Sequence, residues 1–104
     1  MPDRSTVYRP PLHFEWDERK AASNESKHGV TFDDAIDLFS DPGHFVWDVS
    51  RPDDGEVRWK VVGMVDGRVL IAVFVWRGAG ARLISARRAN PKEQRNYGNR
   101  TSDP

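Results

Sequence analysis

The sequence predicts an α+β fold: a twisted antiparallel β-sheet of four to five strands, with two helices before it and one after it, stacked in two layers. Three observations carry this expectation. Two segments near the N-terminus open on capping residues, at Asp17 and Thr31, and the second repeats apolar residues at the helical period. Four extended segments follow between residues 44 and 88, joined by turn-forming residues. A last capped segment opens at Asn90.

Taken in order, residues 1–11 hold three prolines and no periodicity, and read as a flexible arm. Residues 12–16 (LHFEW) alternate Leu12, Phe14 and Trp16 against His13 and Glu15, the pattern of a short strand. Asp17 is suited to cap a helix whose first turn carries Glu18, and Gly29 is suited to end it. That helix has little apolar content, so it is expected on the surface, with Lys20, Lys27 and His28 on one face. Thr31 with Asp34 forms a capping box for a second helix, in which Phe32, Ala35, Ile36 and Phe39 make an apolar face. Pro42-Gly43 ends it.

Strands are then expected at 44–49, 57–65, 68–76 and 82–88. Asp66-Gly67 is a strong two-residue hairpin signal, and 77–81 (RGAGA) is the next turn. The almost wholly apolar 68–76 reads as a central strand. Asn90, Pro91 and Glu93 give the third helix its cap, first residue and capping box. The single domain is expected to span 12–97, with 98–104 as a polar tail.

Composition narrows the chemistry. The 104 residues suffice for one domain, 38% are hydrophobic and 31% charged, as in soluble globular chains. There is no cysteine, which excludes disulfides, thiolate metal sites and cysteine nucleophiles. The longest apolar run, residues 69–76, is too short to cross a bilayer, and the first residues hold no apolar signal core. A cytoplasmic protein with no membrane association is expected. The histidines, His13, His28 and His44, are too far apart in sequence for a short-spaced metal motif. No cofactor and no metal are expected.

Net charge is zero but unevenly placed. Residues 1–56 hold 13 acids and 6 bases, a balance of −7, and residues 57–104 hold 3 acids and 10 bases, a balance of +7. Two readings stand: the second half meets an anionic partner such as a nucleic acid, or the halves neutralise each other. Within that half, Arg58 opens one strand and Arg82, Arg87 and Arg88 punctuate the last. Strict alternation puts Leu83, Ser85 and Arg87 on one face and Arg82, Ile84, Ala86 and Arg88 on the other. A guanidinium matches phosphate oxygens with paired hydrogen bonds. Glu93 and Tyr97, one turn apart on the following helix, would project near the end of this strand. The competing reading is solvated strand arginines with a surface Glu–Arg pair. Trp16, Trp47, Trp59 and Trp76 are expected in the core or on a sheet face, where one could stack on a base.

The run FEWDERKAASNESKHGVTFDDAIDLFSDP (residues 14–42) resembles the opening of the BrnT family, through Phe14, Trp16, Asp17, Lys20, Asn24, Lys27, His28, Gly29, Val30, Phe32 and Ala35. Arg58 before Gly63, then RLISARRANPKEQRNY (residues 82–97), are similar to its second block, through Arg82, Ile84, Ser85, Ala86, Arg87, Ala89, Glu93 and Tyr97. Two features depart from the pattern: residues 1–12 extend beyond the usual start, and Trp76 stands where a small or polar residue is commoner.

The resemblance implies a RelE-like fold and a toxin of a type II toxin–antitoxin system: a metal-independent ribonuclease that cleaves RNA and inhibits translation. It implies a BrnA-like antitoxin as partner, contact with operator DNA only through that antitoxin, and a dimer or a heterotetramer with it. Under it, Arg58 and Arg87 would stabilise the transition-state phosphorane, with Arg82 in reserve. His28 would be the acid or base, and Tyr97 would align RNA or stack on a base. Glu93 would serve the site or only cap its helix, and Lys20, Lys27, Arg88 and Arg95 would bind phosphates. A non-catalytic nucleic-acid-binding module and a protein-interaction module are the alternatives.

Overall fold

The computed structural model describes residues 8–53 and 55–102. Their order is β1 (Phe14–Glu15), α1 (Glu18–His28), α2 (Phe32–Leu38), β2 (Phe45–Asp48), β3 (Arg58–Val65), β4 (Arg68–Arg77), β5 (Gly80–Arg88) and α3 (Pro91–Ser102). The expected α+β layout holds among these residues: three helices and one five-stranded sheet, ordered β1-β5-β4-β3-β2.

Local chemistry sets the ends of the elements. The Asp17 carboxylate accepts the backbone N–H groups of Arg19 and Lys20, and Gly29 closes α1 in the left-handed region at φ 70°. Thr31 and Asp34 make the reciprocal capping box of α2. Asn90 and Glu93 do the same for α3, each accepting the other's backbone N–H at 2.8 Å. Asp66 and Gly67, both at positive φ, turn β3 into β4, with Val65 opposite Arg68.

Four findings depart from the sequence reading. First, the sheet is mixed. β1 pairs with β5 in parallel, Phe14 opposite Ala81 and Glu15 opposite Arg82. The chain leaves β1 at one edge and crosses the sheet through α1 and α2 to begin β2 at the other edge. Side-chain alternation reports which face is buried but not which strand lies alongside, so the parallel pair could not be read from it. Second, β1 has two residues rather than five, and Leu12 is 81% exposed instead of facing inward. Third, α3 continues through Gly98 to Ser102, past where the polar tail was expected to begin. Tyr97 anchors its last turns, and among the described residues nothing crowds Gly98.

Fourth, β5 carries a bulge. Ser85 pairs with Val73 while Leu83 pairs with Phe74, so Ile84 is an extra residue. The alternation shifts there. Leu83 and Ala86 both enter the main core, and Arg82, Ser85 and Arg87 share the opposite face through their partners Val75, Val73 and Ile71.

The main core lies between the sheet and α1 and α2. Val30, Phe32, Ala35 and Leu38 meet Val61, Leu70, Phe74 and Leu83. Complete burial of the valine, leucine and phenylalanine side chains among these contributes about 1.5–3 kcal/mol each. α2 comes close to β3 because Gly63 has no side chain: a Cβ there would lie 3.0 Å from Leu38 Cδ2 and 3.1 Å from the Leu38 carbonyl oxygen. A smaller core on the opposite face joins Val62 and Ile71 to Ala89 and Tyr97, and so docks α3 over one end of that face.

Residues 1–7 of the expected arm lie outside the described residues. Tyr8 packs against the sheet end: its ring stacks on Trp59 and meets Trp76 edge-on, and its hydroxyl lies 2.9 Å from His44 Nε2. Burial pushes the Tyr8 hydroxyl pKa up to about 12. Tyr8 and Trp76 therefore meet in one aromatic cluster with Trp59.

Candidate functional site

Among the described residues, the face of the sheet away from α1 and α2 is covered only at one end. Register fixes what it presents, because residues directly opposite in neighbouring strands share a face. One row is Glu15, Arg82, Val75 and Arg58. The next is Ser85, Val73, Lys60 and Trp47, and the third is Arg87, Ile71, Val62 and Phe45. Arg77, two residues beyond Val75, shares this face with Arg58 and Arg82. Five cations thus stand on one open face, and the bulge is what brings Arg82 onto the same side as Arg87. Lys60 and Arg77 were missed in the sequence, although each sits two residues along its strand from a residue on this face.

Each arginine of this face has a carboxylate partner. Arg58 Nη2 lies 3.0 Å from Glu56, and Arg77 lies 3.8 Å from the same carboxylate. Arg82 lies 3.1 Å from Glu15. These pairs are partly exposed and held by single contacts, so each contributes no more than about 1 kcal/mol and can yield to a phosphate. Among the described residues, Arg58 Nε is buried without a hydrogen-bond partner.

The Arg87–Glu93 pair is stronger. Two parallel hydrogen bonds of 2.8 Å join Arg87 Nη1 and Nη2 to the two Glu93 oxygens, and Nη1 also donates to the Arg88 carbonyl at 3.2 Å. The Arg87 guanidinium holds the Glu93 carboxyl far below its ordinary value, at about 2, against the opposing effect of burial. In return Glu93 raises the pKa of Arg87. A carboxylate held this low does not exchange protons near neutral pH. Glu93 therefore caps α3 and fixes the plane of a guanidinium that remains 35% exposed.

Tyr97 is buried at 7% exposure, and its hydroxyl donates to Asp41. Burial, and then Asp41, push its pKa up to about 12. Burial also pushes the Asp41 carboxyl up. Hydrogen bonds from Tyr97, Gly43 and Met64, with His44 nearby, outweigh that and leave it below its ordinary value. In this structure Tyr97 tethers α3 to the loop after α2 rather than facing the open surface.

Lys20, Lys27 and His28 do fall on one side of α1. They line a groove with Ser23, Asn24, Ile84 and Ser85. Ser85 thus belongs both to this groove and to the open face, which places the α1 cations across β5 from Arg82 and Arg87. Asn24 holds the two sides together. Its amide donates to Val30 O at 3.0 Å and Ala86 O at 2.8 Å, and its oxygen accepts the Ala86 N–H at 3.0 Å. In this way a side chain completes the free edge of β5. Arg88 lies opposite Leu70 and is exposed, directed away from the open face. Arg95 is exposed on α3.

The two readings of the charge asymmetry both have support. Arg82–Glu15 and Arg68–Asp34 join the basic half to the acidic half, yet the cations still gather on one face and one groove. Among the described residues, no group of three or more histidine, aspartate or glutamate side chains could hold a metal ion, and no helix is long and apolar enough to cross a membrane.

A family model described as the ribonuclease toxin, BrnT, of type II toxin–antitoxin systems matches residues 16–93. The matched span runs from just before α1 to the Glu93 partner of Arg87. A search of curated proteins finds no match to the chain.

Proposed function

The chain belongs to the BrnT family of ribonuclease toxins of type II toxin–antitoxin systems, and we propose that it cleaves RNA without a metal ion, on the open sheet face and the β5 edge. The observation that carries this reading is the grouping of Arg58, Arg82 and Arg87 on one face, Arg58 by its register on β4 and Arg82 by the bulge, with the Lys20–Lys27–His28 groove on the other side of β5.

RNA supplies its own nucleophile. The 2′-oxygen attacks the neighbouring phosphorus, the P–O5′ bond breaks, and a 2′,3′-cyclic phosphate and a free 5′-hydroxyl result. The protein must align the attack, accept the 2′ proton, offset the phosphorane charge and give a proton to O5′. Arg87, fixed in orientation by Glu93, and Arg58 offset the phosphorane charge, with Arg82 exchanging Glu15 for a phosphate oxygen. His28, at the groove beside Ser85, transfers protons. Lys20 and Lys27 hold flanking phosphates, and Arg88 and Arg95 extend that track. Tyr97 acts as a positioning residue that keeps α3, and hence Glu93, in place. The partner that neutralises the site is a BrnA-like antitoxin, and RNA cleavage halts translation.

The test is incubation of the purified chain with RNA in excess EDTA. Undiminished cleavage leaving cyclic phosphate and 5′-hydroxyl ends is expected. Cleavage that stops in EDTA and returns with added magnesium would refute the metal-free mechanism.

A further inference from the structure

Beside Arg87 the open face holds a feature that the phosphodiester chemistry does not use. Phe45 and Trp47, two residues apart on β2, present stacked rings with centroids 5.5 Å apart and planes at 28°. Trp47 is 38% exposed, although a ring of this size is normally covered. Lys60 Nζ lies 5.8 Å from the Trp47 ring centroid. The two rings form one wall of a cleft of about 250 Å³. Val62 and Ile71 are its floor, and Asn96 and Glu93 of α3 stand opposite.

We propose that this cleft binds an unpaired nucleobase of the RNA substrate, next to the phosphate held at Arg87. The proposal rests on the ribonuclease reading of the same face, and adds to it a base-binding subsite that gives cleavage a sequence preference.

The chemistry of the walls favours this occupant. A base is flat and apolar on its faces and carries donors and acceptors on its edge. The cleft offers an aromatic wall for the face and the Asn96 amide, both donor and acceptor, for the edge. Its position agrees. Glu93 lines the cleft and also grips Arg87 at 2.8 Å, so the cleft and the phosphate-binding guanidinium share a wall. Charge separates RNA from a protein side chain as occupant. Lys60 beside the aromatic pair, and Arg58, Arg77, Arg82 and Arg87 on the same face, suit a polyanion whose bases turn inward.

The test measures equilibrium binding of non-cleavable 2′-O-methyl tetranucleotides of A, C, G or U to the full chain. The same backbone with abasic residues is measured beside them. For the preferred base, Trp47→Ala is expected to weaken binding about 5- to 150-fold, the range that stacking on one aromatic ring supplies. Asn96→Ala is expected to narrow the difference between the four bases. Trp47→Phe, which keeps a ring, is expected to retain most of the affinity. Abasic binding should not respond to any of the three.

Equal weakening of intact and abasic binding, or no change with Trp47→Ala, would overturn the proposal, as would wild-type protein that binds none of the oligonucleotides. Trp47→Ala that loses a protein partner but keeps its RNA affinity would overturn it in favour of a protein-docking cleft. Cleavage of total RNA by the same preparations separates the two claims. Wild-type cleavage whose cut sites are unchanged in Trp47→Ala removes the base subsite and leaves the nuclease. Base-dependent binding without any cleavage removes the nuclease and leaves the subsite.

Discussion

Replacing Asn24 with alanine should cost about 3 kcal/mol of folding stability. The side chain is 7% exposed and makes three hydrogen bonds of 2.8–3.0 Å to backbone groups of Ala86 and Val30. Each is worth about 1 kcal/mol net, and each leaves a backbone group without its partner when removed, which drives the cost upward. For a domain of this size the melting temperature should fall by roughly 12–20 °C. Urea denaturation followed by circular dichroism measures the loss, and an unchanged slope would show that the denatured state is not the cause. The variant that remains folded at low temperature should also cleave RNA poorly, because α1 carries Lys20, Lys27 and His28 to the β5 edge. A loss below about 1 kcal/mol with full activity would refute the role given to Asn24. Solvent would then satisfy Ala86 as well as the side chain does, and α1 would need no such anchor.

Other consequences follow from the same geometry. The Glu93 carboxyl, held at about 2 against an ordinary 4.5, contributes stability above pH 4.5 that is lost as pH falls toward 2. At face value the shift is worth about 3 kcal/mol, and solvent screening of this partly exposed pair reduces it to about 1–2. Glu93→Gln should therefore be less stable than wild type at pH 6, and the gap should close between pH 4.5 and 2.5 in urea titrations. Tyr97→Phe should lose about 1–2 kcal/mol, through the hydrogen bond to Asp41, and keep most cleavage activity. A variant of full stability but no activity would place the hydroxyl in the chemistry instead. Gly63→Ala forces a methyl group against Leu38 and should destabilise by about 1–3 kcal/mol in thermal melts, with the site chemistry intact.

What the sequence disclosed, and what it withheld, follows from the range of the interactions. Asp17, Thr31, Asp34, Asn90, Glu93 and the Asp66-Gly67 turn act within a few residues, and each works in the structure as its local pattern indicates. The side-by-side placement of Lys20, Lys27 and His28 on α1 was also legible, because helical periodicity fixes it. The parallel β1–β5 pair was not, since it joins residues far apart in the chain. The bulge at Ile84 was not either. It depends on how β5 fits against β4, and it shifts the expected faces, so Arg82 and Arg87 share a face where alternation separates them. Asn24 carried no local signal. A polar residue on a surface helix looks solvated until β5 is beside it. The Phe45–Trp47 stack was visible only as two aromatics two residues apart, and the cleft between them and Asn96 needed α3 in place.

The proposed function puts Arg87 at the centre of a ribonuclease site. Induced expression of wild type and Arg87→Ala in a bacterial host, following growth and the integrity of total RNA, tests it most directly. Growth arrest with RNA cleavage by wild type, and neither with a soluble, folded Arg87→Ala, is the predicted result. Arrest and cleavage that persist in Arg87→Ala would remove Arg87 from the site and move the phosphate-binding centre elsewhere on the sheet.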